Sequence, residues 1–224
     1  MRKINLSQIA LFSTFFSLAL GFSIITNWLT FAAIPLGDFR GIVLLMSGVF
    51  FLYFYELLFY RLMLYVMPIS IGEITPDSRQ EFSYHIYLLF YLILFYPVMR
   101  SGFIPVPLMK LFYLALGAKM GENTYSSGII QDPIFVEVGD NTLIGMDALI
   151  TPHIIENNKI EHHPISIGNN VTIGAHSILL AGVSVGDGAL VAAGSVVRKG
   201  TQIGAGEVWG GVPAKIIKAA SISE

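Results

Sequence analysis

The feature that most constrains this chain is a spacing of six. Apolar residues stand at Val138, Ile144 and Ile150, and again at Ile167, Ile173, Leu179, Val185, Val191, Val197, Ile203 and Trp209. Gly follows most of them, at Gly139, Gly145, Gly168, Gly174, Gly186, Gly204 and Gly210. A small or β-branched residue comes four places on, as at Thr142, Ala148, Val171, Ser177, Val183, Ala189, Ser195 and Thr201. An amphipathic helix repeats about every 3.6 residues and a half-buried strand about every 2, so neither makes this pattern.

Three such units close one triangular coil, and stacked coils pair their strands in parallel. The apolar residue points into the core from each flat side, and the small residue faces inward beside a corner. The Gly is expected at the corner, where it would supply backbone angles costly for other residues. The expected fold is an all-β parallel β-helix from about Met120 to Ala214, preceded by an α-helical membrane region. The register breaks once. Ile150 to Ile167 is 17 positions where three units need 18, and His153–Pro164 lacks the pattern. That stretch reads as a loop leaving a rigid scaffold, the kind of place where binding and catalysis concentrate.

The first half is different in kind. Of the 224 residues, 54% are hydrophobic and only 12% charged, against about 25% charged in an ordinary soluble domain. No charge occurs between Ile4 and Gly37, and Ile9–Leu36 is long enough for a membrane span. It is too long for the hydrophobic region of a signal peptide and lacks a clear cleavage site. A second apolar run, Ile42–Met67, is interrupted by Glu56 and Arg61, read either as an interfacial pair or as groups that recognise a polar head. Tyr84–Met99, ended by Pro97, looks short for a span, and His85 within it reads as interfacial. Phe103–Leu116 carries two prolines and Lys110; both segments read as interfacial or re-entrant helices. The expected domains are a two-helix anchor over 1–70, interfacial helices and linker over 71–118, and the β-helix over 119–224. Arg2 and Lys3 before the first span, with Arg79, Arg100 and Lys110 after the second, favour a cytoplasmic β-helix on the inner membrane. The net charge of -2 and the lack of a basic block give nucleic-acid binding no support. With no cysteine, thiol nucleophiles and Cys-based metal sites are excluded.

The run Pro164-Ile-Ser-Ile-Gly-Asn-Asn-Val-Thr-Ile-Gly-Ala175, then Gly182-Val-Ser-Val-Gly, Ala193-Gly-Ser-Val-Val-Arg-Lys199 and Gly211-Val-Pro-Ala-Lys215, resembles the hexapeptide-repeat acyltransferases. The pattern is most similar to the galactoside, maltose and polysaccharide O-acetyltransferases. The resemblance implies a left-handed coil, acetyl-CoA or another acyl-CoA as co-substrate with no metal, a homotrimer with sites between subunits, and a glycan acceptor. The apolar first half instead looks like membrane-anchored members of the superfamily, which adds membrane lipid and a lipid-linked acceptor to the expected partners.

Acyl transfer to a hydroxyl needs a group to take the proton, and histidine suits this near neutral pH. The resemblance implies a base just before the extended loop, which is His153. Its orienting carboxylate is left open between Asp132, aligned by the resemblance, and Glu156, three residues on. His162 and His163 close the loop and are candidates for lining the acceptor pocket, or else solvated loop residues. By motif match Ala175 and Ala193 would contact the donor, with His176 near its groove or simply structural. Arg198, Lys199 and Lys215 suit phosphate oxygens, or else form a solvated basic set. Alternatives are N-acylation of an amino sugar, a γ-type carbonic anhydrase using three histidines on zinc, and a non-catalytic membrane scaffold.

Overall fold

The computed structural model describes residues 3–219, so Arg2 lies outside the described residues. Two compact units emerge, one of residues 1–69 with 76–95 and one of residues 70–75 with 96–224.

The first unit is helical: α1 (Leu6–Phe31), α2 (Arg40–Val66) and α3 (Arg79–Phe90). Ser78 caps α3 by accepting from Glu81 N at 3.1 Å, while Glu81 Oε2 accepts from Asp77 N at 2.7 Å. Pro97 does not end this helix. A π turn over Tyr91–Phe95 leads into α4 (Tyr96–Arg100). The proline ring would collide with a carbonyl four residues back, and the wider turn just ahead of it relieves that conflict. The helical run Arg79–Arg100 therefore has 22 residues, and among the described residues three helices are long and apolar enough to cross a membrane. Ile86, Tyr87, Phe90 and Phe95 are fully buried. His85, expected at an interface, is also buried, its Nδ1 donating to Gln8 Oε1 at 3.2 Å. Glu56 does not pair with Arg61: both its carboxylate oxygens are buried without a hydrogen-bond partner, and Arg61 is exposed.

The second unit is a left-handed parallel β-helix. Its first face stacks Lys119–Met120, Val136–Val138, Ile165–Ile167, Ser184–Val185 and Gln202–Ile203. The second stacks Tyr125–Ser126, Leu143–Ile144, Thr172–Ile173, Leu190–Val191 and Val208–Gly211. The third stacks Ile129–Ile130, Leu149–Ile150, Ile178–Leu179 and Val196–Val197. Ile144, Ile150, Ile173, Leu179, Val191 and Val197 are fully buried, as the spacing of six requires. The small inward residues also serve the backbone: Thr142 Oγ1 donates to Gly168 O at 2.8 Å and accepts from Val171 N at 3.1 Å.

The repeated Gly has a different role from the one expected. Gly139, Gly145, Gly168, Gly174, Gly186 and Gly204 are absent from the left-handed region; that conformation falls two residues later, at Asn141, Asp147, Asn170, His176, Gly188 and Gly206. At Gly139, Gly145, Gly168, Gly174 and Gly186 the Gly is required because the next coil passes too close. A Cβ on Gly174 would lie 2.4 Å from Ala193 N, and one on Gly168 would lie 2.2 Å from Asp187 Oδ1. That Asp187 oxygen accepts from Asn169 N at 2.7 Å, as Asn169 Oδ1 does from Asp140 N at 2.8 Å, so a polar ladder runs along this corner.

Both ends of the coil are covered. Helix α5 (Val106–Leu116) closes the first coil, with the Tyr113 hydroxyl donating to Gly128 O at 2.8 Å and accepting from Ile130 N at 3.3 Å. The strand Ala214–Lys218 folds back antiparallel on Val208–Gly211.

Candidate active site

Ladder partners stand 18 positions apart in the regular coils and 29 apart across residues 153–164. The extra chain is not an irregular loop. It is a β-hairpin of strands His153–Glu156 and Lys159–His162, turning at Asn157-Asn158, both with positive φ. Paired left-handed residues make a turn whose twist matches two antiparallel strands, and Asn tolerates that conformation. The dipeptide was therefore a readable hairpin signal. A third strand, Gly72–Glu73, adds antiparallel to Lys159–His162, with Ile74 N donating to Ile160 O at 2.8 Å. Lys159 Nζ donates to Glu73 Oε2 at 2.9 Å. No pattern in residues 70–75 announces that strand.

The hairpin leaves the corner between the third and first faces, and its first residue is His153. At the same corner one coil earlier, Asp132 takes a left-handed φ of 43° and opens a short 3₁₀ turn, Pro133–Phe135. That turn aims the buried Asp132 carboxylate at His153, whose Nδ1 donates to Asp132 Oδ2 at 2.5 Å. The His153 side chain keeps 25% of its surface exposed. Burial pulls its pKa down, but the hydrogen bond and charge of Asp132 outweigh burial and hold it above the ordinary 6.5. With Nδ1 committed to the carboxylate, Nε2 is the nitrogen left to take a proton.

Glu156 does not share this task. It sits at the tip end of the hairpin, opposite Lys159, and both its oxygens accept from Lys199 Nζ, at 3.0 and 2.7 Å. The same pair occupies Lys199, which was expected to face donor phosphates.

His162 is not at an acceptor surface. It is fully buried, directly opposite His153 in the hairpin register, with its ring 4.7 Å from that of Phe135. Burial lowers its pKa, reinforced by His153 and His163 and opposed by Asp132. His163 is partly exposed and donates from Nε2 to Glu161 Oε2 at 3.0 Å; that hydrogen bond holds the Glu161 carboxyl below its usual range. Phe135 went unremarked in the sequence because one aromatic at the edge of a coil carries no periodic signal.

The expected donor contacts lie elsewhere. Ala175 and Ala193 stack at the corner between the second and third faces, where Gly194 N donates to Ala175 O at 2.9 Å. His176 is exposed on that same corner, in the left-handed conformation with φ of 57°. A cavity of about 430 Å³ opens there too, lined by Arg100, Met109, Ser127 and Asp147 among others, and His153 does not line it. Arg198 and Lys199 follow Val197 on the His153 corner, both exposed. Lys215 is exposed in the closing strand, opposite Gly210. One chain thus gathers His153, Asp132, His162 and His163 at one corner and Ala175 and Ala193 at the next. Among the described residues no cluster of three or more His, Asp or Glu is placed to hold a metal ion.

A family model described as the hexapeptide repeat of succinyl-transferase matches residues 164–199. Similar solved structures include a hexapeptide-repeat-containing acetyltransferase from Vibrio cholerae, 25% identical, covering 46% of this chain and 62% of that one, with a TM-score of 0.42. A maltose O-acetyltransferase from Clostridium difficile is 29% identical over 48% of this chain and 61% of that one, with a TM-score of 0.43. A galactoside acetyltransferase in complex with coenzyme A is 23% identical over 73% of this chain and 80% of that one, with a TM-score of 0.43. The chain thus spans about three-fifths of the length of the first two. No curated protein sequence matches it significantly.

Proposed function

We propose that this protein is a membrane-anchored, CoA-dependent O-acyltransferase that moves an acetyl group to a hydroxyl of a glycan or lipid-linked sugar. The observation that carries the reading is the His153–Asp132 pair on a hexapeptide β-helix. The carboxylate fixes the tautomer and leaves Nε2 as general base. As the acceptor oxygen attacks the thioester carbonyl, Nε2 takes its proton; the carbon–sulfur bond then breaks, and the proton passes to the leaving thiolate. No covalent enzyme intermediate is needed, which fits a chain without cysteine.

The separation of His153 from Ala175 and Ala193 supports a homotrimer in this reading. The base of one copy would work on a donor held along the Ala175–Ala193 corner of the next, with Arg198, Lys199 or Lys215 near its phosphates. The helices α1 and α2 are read as the anchor. Lys3, Arg79 and Arg100, together with Lys110, favour a β-helix on the cytoplasmic face of the inner membrane, and so an acceptor at the bilayer surface.

The test is thiol release from acetyl-CoA by the purified full chain with a panel of lipid-linked and polymeric glycans. His153→Ala should lower turnover on the order of 10²–10⁴-fold while acetyl-CoA binding persists in calorimetry. Undiminished turnover in that variant would sink the assignment.

A further inference from the structure

Two histidines face each other across the hairpin, and the role assigned above accounts for only one of them. We infer that His162 is a positioning residue: a buried ring that, clamped by Phe135, holds His153 in line with Asp132. This rests on His153 being the base.

Three observations meet here. First, His153 and His162 are directly paired in the antiparallel register, with ring centroids 6.5 Å apart and planes at 73°. Directly opposed side chains on one face of a hairpin are near enough to interact. Second, a single turn grips both. Asp132 opens it and bonds His153; Phe135 closes it and lies against His162, its ring centroid 4.7 Å away at 32°. The carboxylate fixes one ring and the phenyl group the other, so the hairpin cannot slide along the coil without breaking both contacts. Third, the far side of His162 is backed by Gly72 of the added strand, its register partner. Full burial keeps His162 from touching an acceptor, so its influence runs through the residues packed around it.

Charge argues the same way. The ionisable groups around His162 are Asp132, His153 and His163, the last bonded to Glu161. The His153 ring becomes cationic during transfer. A second cation beside it would oppose that step, and burial keeps His162 neutral. A neutral aromatic wedge is thus the useful occupant of the position, and its imidazole nitrogens are not what the base requires.

The two halves of that statement are separable by substitution. In His162→Ala the wedge is gone; a loosened base costs on the order of 10²-fold when reacting groups drift by an ångström. We expect kcat for acetyl transfer to fall by about that factor with KM for acetyl-CoA unchanged, while His162→Phe recovers most of the loss. A readout independent of turnover is the proton NMR signal of His153 Nδ1–H, shifted far downfield by its short bond to Asp132. It should persist in His162→Phe and be lost or move upfield in His162→Ala, in full-length protein whose circular dichroism is unchanged. Wild-type kcat and an intact signal in His162→Ala would overturn the proposal. So would equal inactivation of both variants with the signal retained, because the imidazole itself would then be acting. If no acceptor is ever turned over, the signal still tests the clamp, and only the function reading fails.

Discussion

The carboxylate of Asp132 meets Nδ1 of His153 at 2.5 Å across 21 positions of sequence, while Glu156, three residues from that histidine, turns away to Lys199. Chain proximity and spatial proximity disagree here because the coil returns to the same corner once per turn. A strand carries its neighbours along the hairpin instead.

That relationship sets a pH dependence. His153 must be neutral to accept a proton, so turnover should rise with pH as it deprotonates, with an acid limb centred above 6.5 because Asp132 raises its pKa more than burial lowers it. In Asp132→Asn the charge is lost and burial remains, so the limb should move below 6.5. The plateau should also fall, by roughly 10- to 10⁴-fold, as expected for a mis-oriented base. A pH–rate profile of both proteins checks the sign.

Glu156→Gln should leave kcat within about twofold, in contrast to Asp132→Asn. Its pair with Lys199 is exposed on both sides, and such pairs contribute about 0–1 kcal/mol. Steady-state kinetics of the two single variants side by side decides which carboxylate belongs to the base.

Gly174 and Gly194 separate two reasons for glycine. In Gly174→Ala the new Cβ would meet Ala193 backbone at 2.4 Å, with no flexible group to move aside, and overpacking of this kind costs about 1–3 kcal/mol or more. Gly194 has φ of 68° and open space around it, so Gly194→Ala should lose only about 1–2 kcal/mol of left-handed strain. Gly194→Asn should recover part of that, since Asn141 and Asn170 already adopt the same conformation. Thermal unfolding of the three variants should rank them in that order; if Gly174→Ala proved the mildest, the close-approach account would be wrong.

Tyr113→Phe removes the hydroxyl that serves two buried backbone groups of the first coil. Leaving Ile130 N without its acceptor, while Gly128 O keeps the longer bond from Ser126 Oγ at 3.3 Å, should cost about 1–3 kcal/mol. Hydrogen exchange at the Ile130 amide should accelerate accordingly, ahead of any change in the later coils.

The β-helix and the position of its one interruption were legible in the sequence, because a coil's inward and outward positions recur at a fixed interval and each interval is local. The candidacy of His153 and Asp132 came from the resemblance to the hexapeptide-repeat acyltransferases and not from the periodicity. Other features were not legible. The six-residue pattern showed that Gly must follow the apolar residue, yet its reason, a neighbouring coil at 2.2–2.9 Å, exists only once coils are stacked. Pro97 looked like a helix end because the widened turn that accommodates it has no sequence signature. The strand Gly72–Glu73 joins Lys159 across 86 positions, and Glu156 joins Lys199 across 43; no periodicity spans such distances. The sequence by itself determined which residues face the core and where the chain departs from it. Tertiary structure alone decided which carboxylate serves His153, that His162 is sealed behind it, and that Ala175 and Ala193 stand on a different corner, because each depends on which coil is laid against which.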